Sequence, residues 1–207
     1  VALATSKDNV MLTMPSLGAW ADLRGAKKNT LMVVTAACVV STAVLAWARP
    51  GSVALAMLLI IVSNTFYSYG ESITAAFLPE LARPEAMGKV SGWGWAFGYV
   101  GGMLTLAGCL AYVLHAQAQG QPASAFVPVT MWITAAVYGL AACVTFSLLR
   151  ERASGVAAVG EPASFGAALG QLKATFREAR RYRDFIWLLT CTVAYQGGVA
   201  VAITLAA

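Results

Sequence analysis

The sequence predicts an all-α polytopic membrane protein. Of its 207 residues, 59% are hydrophobic and only 11% are charged, whereas a soluble domain carries about a quarter charged residues. Lipid is therefore expected to solvate much of the chain. The apolar residues fall into runs of about 20, the length that crosses a bilayer as a helix. The runs lack strand alternation, and a helix satisfies its own backbone groups, so each run is predicted to be helical.

Five complete runs are long enough to span a bilayer: residues 30–48, 52–77, 92–114, 127–149 and 184–206. A further run ends at Ala21 and is either shorter or interrupted by Lys7, Asp8 and Asn9. We favour a helix start at Val10, which leaves those three residues as a flank. Both ends of the chain have the character of cut ends, so we expect a part of a longer protein.

Basic residues are distributed unevenly among the connections between these runs. The connections that contain Arg24, Arg83 and Arg150 hold twelve of the fourteen Lys and Arg residues. Arg49 lies on the other side, and the 115–126 connection has no Lys or Arg. Because cytoplasmic loops are enriched in these residues, the Arg24, Arg83 and Arg150 loops are predicted to be cytoplasmic.

The longest connection contains a predicted amphipathic helix. Its apolar positions share one helical face: Phe165, Ala168, Leu169, Leu172, Phe176 and Ala179. Lys173, Arg177, Arg180 and Arg181 lie on the other side, and Ser164 is placed to cap the start. This pattern is typical of a helix in the membrane interface with its cations toward anionic lipid. The alternative is a solvated linker.

The remaining residue types argue against several functions. Cys38, Cys109, Cys143 and Cys191 fall in separate apolar runs without metal or redox spacing, so they are expected to be small packing residues. His115 has no ligand-like neighbour in the sequence. No metal and no cofactor are therefore expected. The basic residues lie in loops between spans rather than on one folded face, which argues against nucleic-acid binding.

Two segments resemble known transporters. Residues 18–28 follow the major facilitator superfamily motif Gly-x-x-x-Asp-x-x-Gly-x-Lys/Arg-Lys/Arg, which joins the second and third helices. The matching positions are Gly18, Asp22, Gly25, Lys27 and Lys28. A more specific block has FLPEL at 77–81, VSG at 90–92 and GYVGG at 98–102. This block resembles the vacuolar amino-acid effluxer family linked to autophagy and its bacterial relatives.

The resemblance implies a major-facilitator-type helical bundle, with about six transmembrane helices present of an implied twelve. Residues 1–149 would hold helices two to six of the N-terminal half. Residues 150–183 would form the cytoplasmic linker between the halves, with its amphipathic helix, and 184–207 the truncated first helix of the C-terminal half. The expected partners are the bilayer, a small solute and the remaining transporter helices, in a bacterial inner (plasma) membrane.

The resemblance also implies a gating-loop motif, made of Gly18, Asp22, Arg24, Gly25, Lys27 and Lys28. In the superfamily the carboxylate corresponding to Asp22 sits at a helix end and helps to latch the two halves. Here Asp22 would pair with Arg24 or Lys28, or with a helix outside this segment. The alternative is that Lys27 and Lys28 only set topology.

One predicted span carries an acid well inside it. Asn64, Tyr67, Ser68 and Glu71 share one helical face. An ionisable group in a span is costly unless it faces a cavity or a partner. These residues are therefore a candidate substrate and proton path, with Glu71 as the coupling group. The alternative is a structural Glu71, hydrogen-bonded to a neighbouring helix or reaching the interface.

The next span carries a stripe of small residues that predicts close helix packing. Its members are Gly94, Gly98, Gly101, Thr105 and Gly108, with Gly102 beside them. In the superfamily this helix lies at the interface of the two halves, so the resemblance implies that the stripe permits their rocking.

Together these features favour a secondary active transporter that moves small organic solutes by alternating access. Amino acids are the solute class that the resemblance implies, and protons are a candidate coupling ion. The sequence has no phosphate-binding Gly-x-x-x-x-Gly-Lys-Ser/Thr loop, which disfavours an ATP-driven pump, and no residue cluster typical of an enzyme. The alternatives are a facilitator without ion coupling and a non-transporting scaffold or receptor of the same fold.

Overall fold

The computed structural model describes residues 27–48, 51–149 and 182–206, together with residues 6, 9–10, 13–14, 17–18, 170, 173–174 and 177–178. Its helices are α1 (Lys27–Leu45), α2 (Val53–Ala76), α3 (Leu78–Leu81), α4 (Met87–Ala118), α5 (Ala123–Leu148) and α6 (Arg183–Ala206), with a 3-10 turn at Pro84–Ala86. The described part of the chain contains no β-strand, and the predicted all-α fold class is confirmed.

Four segments of the described chain are long and apolar enough to cross a membrane: Lys27–Leu45, Val53–Leu81, Pro84–Ala118 and Ala123–Leu148. They coincide with the predicted spans 30–48, 52–77, 92–114 and 127–149. The fifth predicted span, 184–206, is helical as α6. That α6 crosses the membrane stays a prediction.

α4 extends at both ends beyond the apolar run, residues 92–114, that predicts it. α4 has 32 residues, which makes it about 48 Å long, whereas the hydrocarbon core is about 30 Å thick. The predicted 115–126 connection shortens to residues 119–122 for this reason. Hydropathy marks only the part of a helix that lipid can cover, and backbone hydrogen bonding continues the helix outside it.

Short turns make neighbouring helices antiparallel. Gly51, between α1 and α2, and Gly120, between α4 and α5, have φ angles of 102° and 72°, which glycine adopts without a steric penalty. Because the connections are short, the start of α1, the end of α2, the start of α4 and the end of α5 lie at one end of the bundle. We call it the basic end, since Lys27, Lys28, Arg83 and Lys89 all lie there.

The core lies just beneath the basic end. α1 packs against both α2 and α5, and α4 packs against α5. The buried cluster joins two helices and consists of Leu31, Val34, Ile73 and Phe77, with Met14, Phe66, Tyr69, Phe146 and Leu149 packed against it. At the opposite end, Trp47 and Trp132 meet edge to face, with ring centroids 5.7 Å apart. α1 is therefore the central helix of the described bundle.

The helix that precedes α1 begins earlier than we favoured. Ser6 and Asn9 are both helical, so a start at Val10 is wrong. The physical reason is a tertiary contact: Ser6 is fully buried, and its hydroxyl accepts a hydrogen bond from Asn64 on α2. Lys7 and Asp8 lie outside the described residues.

Little of the predicted amphipathic helix is described. Gly170, Lys173, Ala174, Arg177 and Glu178 are helical and exposed. The apolar face assigned to Phe165 and its neighbours lies outside the described residues. Its position in the membrane interface stays a prediction.

Candidate functional site

Two adjacent lysines open α1, and each reaches a different helix. The Lys27 Nζ lies 3.0 Å from the Glu80 Oε1 on α3, and the two side chains are only 16% and 10% exposed. The Lys28 Nζ donates a hydrogen bond of 2.6 Å to the carbonyl of Leu149, at the end of α5. Cations in the first turn of a helix oppose the helix dipole. Their tertiary partners compensate for this unfavourable placement.

The ion pair joins the two segments that resemble known transporters. Lys27 belongs to the predicted gating-loop motif, and Glu80 belongs to the FLPEL block at 77–81. Gly18 of the motif is helical and half-buried. Asp22, Arg24 and Gly25 lie outside the described residues, so their part in a latch stays a prediction.

The sequence reasoning did not identify Glu80 and Leu149 as partners. The sequence does contain a signal for Glu80. It is an acid that follows α2 at the same end of the bundle as the basic loop, so it can pair with a lysine of that loop. The Leu149 contact uses a backbone carbonyl. Every residue has one, so the sequence does not show which carbonyl will accept a hydrogen bond from Lys28. Only the packing of α5 against α1 brings that carbonyl to Lys28.

The predicted polar face of α2 divides into two parts. Asn64 and Ser68 are half-buried: the Asn64 Nδ2 donates 2.6 Å to the Ser6 hydroxyl, and the Ser68 hydroxyl donates 3.0 Å to the Asn64 carbonyl. Tyr67 and Glu71 lie one turn apart and are exposed. An exposed carboxylate in an otherwise apolar span calls for a cavity or a partner beyond the described residues.

A polar seam lies between α1 and α2. The Thr42 and Ser63 hydroxyls are 2.8 Å apart, and the buried Cys38 thiol donates to the Ser63 carbonyl at 3.4 Å. Tyr69 of α2 also contacts Thr13 through their hydroxyls. The short side chains of Cys38, Thr42 and Ser63 let α1 and α2 approach closely and hydrogen-bond across their interface. Cys38 is a free thiol that packs here.

The glycine stripe of α4 faces open space in the described structure. A Cβ atom added at Gly94, Gly98, Gly101, Gly102 or Gly108 would meet no described atom within 4 Å. The close packing expected at this face therefore needs a partner beyond the described residues. It stays a prediction.

Membrane-length helices, tight turns and charged contacts gathered at one end define a polytopic helical membrane protein, and the known proteins that it is similar to include a transporter of the major facilitator class. The chain is 30% identical over 193 residues, or 92% of its length, to the uncharacterized MFS-type transporter YxiO of Bacillus subtilis (strain 168). The chain spans 44% of that relative. No solved structure matches the chain.

Within this class, the match to a family is broader. Residues 2–207 match the family described as Vacuole effluxer Atg22 like, and the chain belongs to that family. Both comparisons are with transporters, which places the chain outside the enzyme classes. They also confirm the resemblance that the 18–28 and 77–102 segments carry.

Proposed function

We propose that the complete protein is a secondary active transporter that moves small organic solutes across a membrane by alternating access. One observation carries the proposal: Glu71 and Tyr67 are exposed, one turn apart, on a span that is otherwise largely apolar. A charged side chain that faces lipid inside a span is costly. This face of α2 is therefore best accommodated at a water-filled path, and membership of a transporter family supports that path as a solute route.

Amino acids and protons belong to the same proposal. Amino acids are the solute class implied by the resemblance to the vacuolar effluxers. Glu71 is the proposed coupling group, because a carboxylate both binds and releases a proton. Asn64, Tyr67 and Ser68 form the polar wall beside it, with Asn64 and Ser68 held by their hydrogen bonds.

The orientation is part of the proposal as well. Lys27, Lys28, Arg83 and Lys89 gather at the basic end, and the positive-inside rule supports a cytoplasmic location for it. With the basic end in the cytoplasm, residues 1–149 supply helices two to six of the N-terminal half, and residues 150–183 supply the linker between the halves. Residues 184–207 begin the C-terminal half, in a bacterial inner membrane.

The proposal is tested by flux through the full-length protein in proteoliposomes, with a panel of labelled amino acids and with or without a proton gradient. We expect gradient-dependent flux of at least one solute. Glu71→Gln should abolish the gradient dependence, whereas Glu85→Gln, an exposed acid in the 3-10 turn, should preserve it.

Two other outcomes would replace the proposal. Saturable flux that ignores the gradient would make the protein a facilitator and Glu71 a structural group. Folded protein that moves no member of the panel would overturn the amino-acid class, and a wider solute panel that also failed would favour a scaffold or receptor.

A further inference from the structure

Leu149 is held at three points where the chain leaves α5. Its backbone is extended, with φ −70° and ψ 120°, and its N–H still donates 2.7 Å to the Thr145 carbonyl. Its side chain packs against the core cluster beneath the basic end. Its carbonyl accepts the 2.6 Å hydrogen bond from the Lys28 Nζ. Residues 150–183 follow directly, so these contacts fix where that segment departs.

The positive charge of Lys28 interacts more favourably with the dipole of α5 than with that of its own helix. In the first turn of α1 a cation meets the positive end of the α1 dipole, which is unfavourable. At the C-terminal end of α5, carbonyls without intrahelical partners carry partial negative charge, and a cation there is favourable. Lys28 is half-buried, so solvent and salt screen this attraction less than they would at an open surface.

We propose that Lys28 is a positioning residue that caps α5 from a neighbouring helix and ties the origin of the 150–183 segment to α1. Lys27 ties α3 to the same turn of α1 through Glu80. Two successive residues thus join the ends of α2–α3 and α5 into one unit. This step rests on the proposed transport function, in which the end of α5 moves together with the α1–α2 core.

Hydrogen exchange of the full-length protein in lipid nanodiscs tests the cap without any substrate. The variants are Lys28→Met, Lys28→Arg, which keeps a charged donor, and Lys89→Met, which removes an exposed lysine of the basic end. In Lys28→Met the amides of residues 147–149 should exchange about ten-fold faster, since a hydrogen bond from a charged group is lost. Lys28→Arg should restore most of the protection, and Lys89→Met should leave it unchanged.

Two exchange results would overturn the cap. One is unchanged protection of 147–149 in Lys28→Met. The other is equal acceleration across α1, α2 and α5, which would mean that Lys28 stabilises the bundle as a whole and has no local role at the α5 end.

Flux measurements test the second part of the proposal separately. Lys28→Met should lower the maximal transport rate several-fold and leave KM unchanged, because Lys28 lies outside the α2 polar face. An unchanged rate beside faster exchange at 147–149 would overturn the mechanical coupling and keep the cap. Wild-type protein without flux would overturn the proposed function, while the exchange result would still decide the cap.

Discussion

α1 and α4 have the same mean hydropathy, 1.6, and yet they differ in what covers them. In the apolar stretch of α1, 33% of the residues are buried, whereas none of the residues in the apolar stretch of α4 is buried. α1 contacts α2 and α5, contributes Leu31 and Val34 to the core, and anchors two helix ends through Lys27 and Lys28. α4 contacts α5 but leaves its glycine face open.

Hydropathy and packing are therefore separate properties of a membrane helix. Lipid is as apolar as leucine, so an apolar surface gains little by leaving lipid for another helix. Shape, hydrogen bonds and charge pairs decide which faces meet. α1 has a complementary shape, hydrogen bonds and a charge pair toward its neighbours. α4 has the glycine stripe, and the resemblance implies that its partner is the other half of the transporter.

Substitutions in the buried core should lower stability the most. Leu31, 4% exposed, packs with Ile73 and Phe77, so Leu31→Ala should lower the free energy of unfolding by about 3 kcal/mol. Leu110→Ala, at a 55% exposed position of α4, should cost less than about 0.5 kcal/mol. Unfolding of full-length protein in detergent micelles measures both. Equal losses would mean that α4 is packed on this side as tightly as α1.

The glycine face gives the next effect. Gly98→Val should lower the stability of the full-length protein by about 2 kcal/mol and reduce flux, because added volume overpacks a close helix contact. Ala96→Val adds side-chain volume on the opposite side of α4 and serves as the matched control. The same unfolding assay compares the two variants. Full stability and full flux in Gly98→Val would show that the stripe faces lipid.

The Lys27–Glu80 pair should contribute less. Its side chains are mostly buried but not dry, so we expect a coupling of about 1–2 kcal/mol, between exposed and fully buried pairs. A double-mutant cycle of Lys27→Met and Glu80→Gln measures this coupling in the unfolding assay. Additive losses would mean that the two groups are adjacent without stabilising one another.

The polar seam should give the smallest effect. The Thr42–Ser63 hydroxyl contact joins α1 to α2 at 2.8 Å, and hydrogen bonds between membrane helices contribute about 0.6 kcal/mol on average. A cycle of Thr42→Val and Ser63→Ala should return a coupling of that size. A coupling above about 2 kcal/mol would make the seam, rather than the basic end, the main link between these helices.

Much of the fold could be predicted, because long apolar runs have only one stable form in lipid. The spans at 52–77 and 127–149 differ from α2 and α5 by a few residues at their ends. Hydropathy predicts that α1 begins at residue 30, because charged residues such as Lys27 and Lys28 are typical of a loop. Both lysines lie in α1, where Lys27 contacts Glu80 and Lys28 contacts the Leu149 carbonyl. These partners are distant in the sequence, so no local pattern contains that information.

The candidate site could be predicted only as a helical face. The spacing of Asn64, Tyr67, Ser68 and Glu71 places them together, and the structure adds that Asn64 and Ser68 are hydrogen-bonded while Tyr67 and Glu71 are exposed. Periodicity defines a face of one helix. What that face meets depends on neighbouring helices, whose arrangement no single helix encodes.

We propose that the exposed face of α2 lines a path that opens to each side of the membrane in turn. A direct measurement is the reactivity of Tyr67→Cys in full-length protein whose four cysteines, Cys38, Cys109, Cys143 and Cys191, are replaced by serine or alanine. Met103→Cys, on the side of α4 away from the glycine stripe, is the lipid-facing control. We expect an impermeant thiol reagent added from either side to modify position 67, a transported solute to slow the reaction, and position 103 to stay unmodified. No reaction at position 67 from either side of the membrane would show that this face does not line such a path.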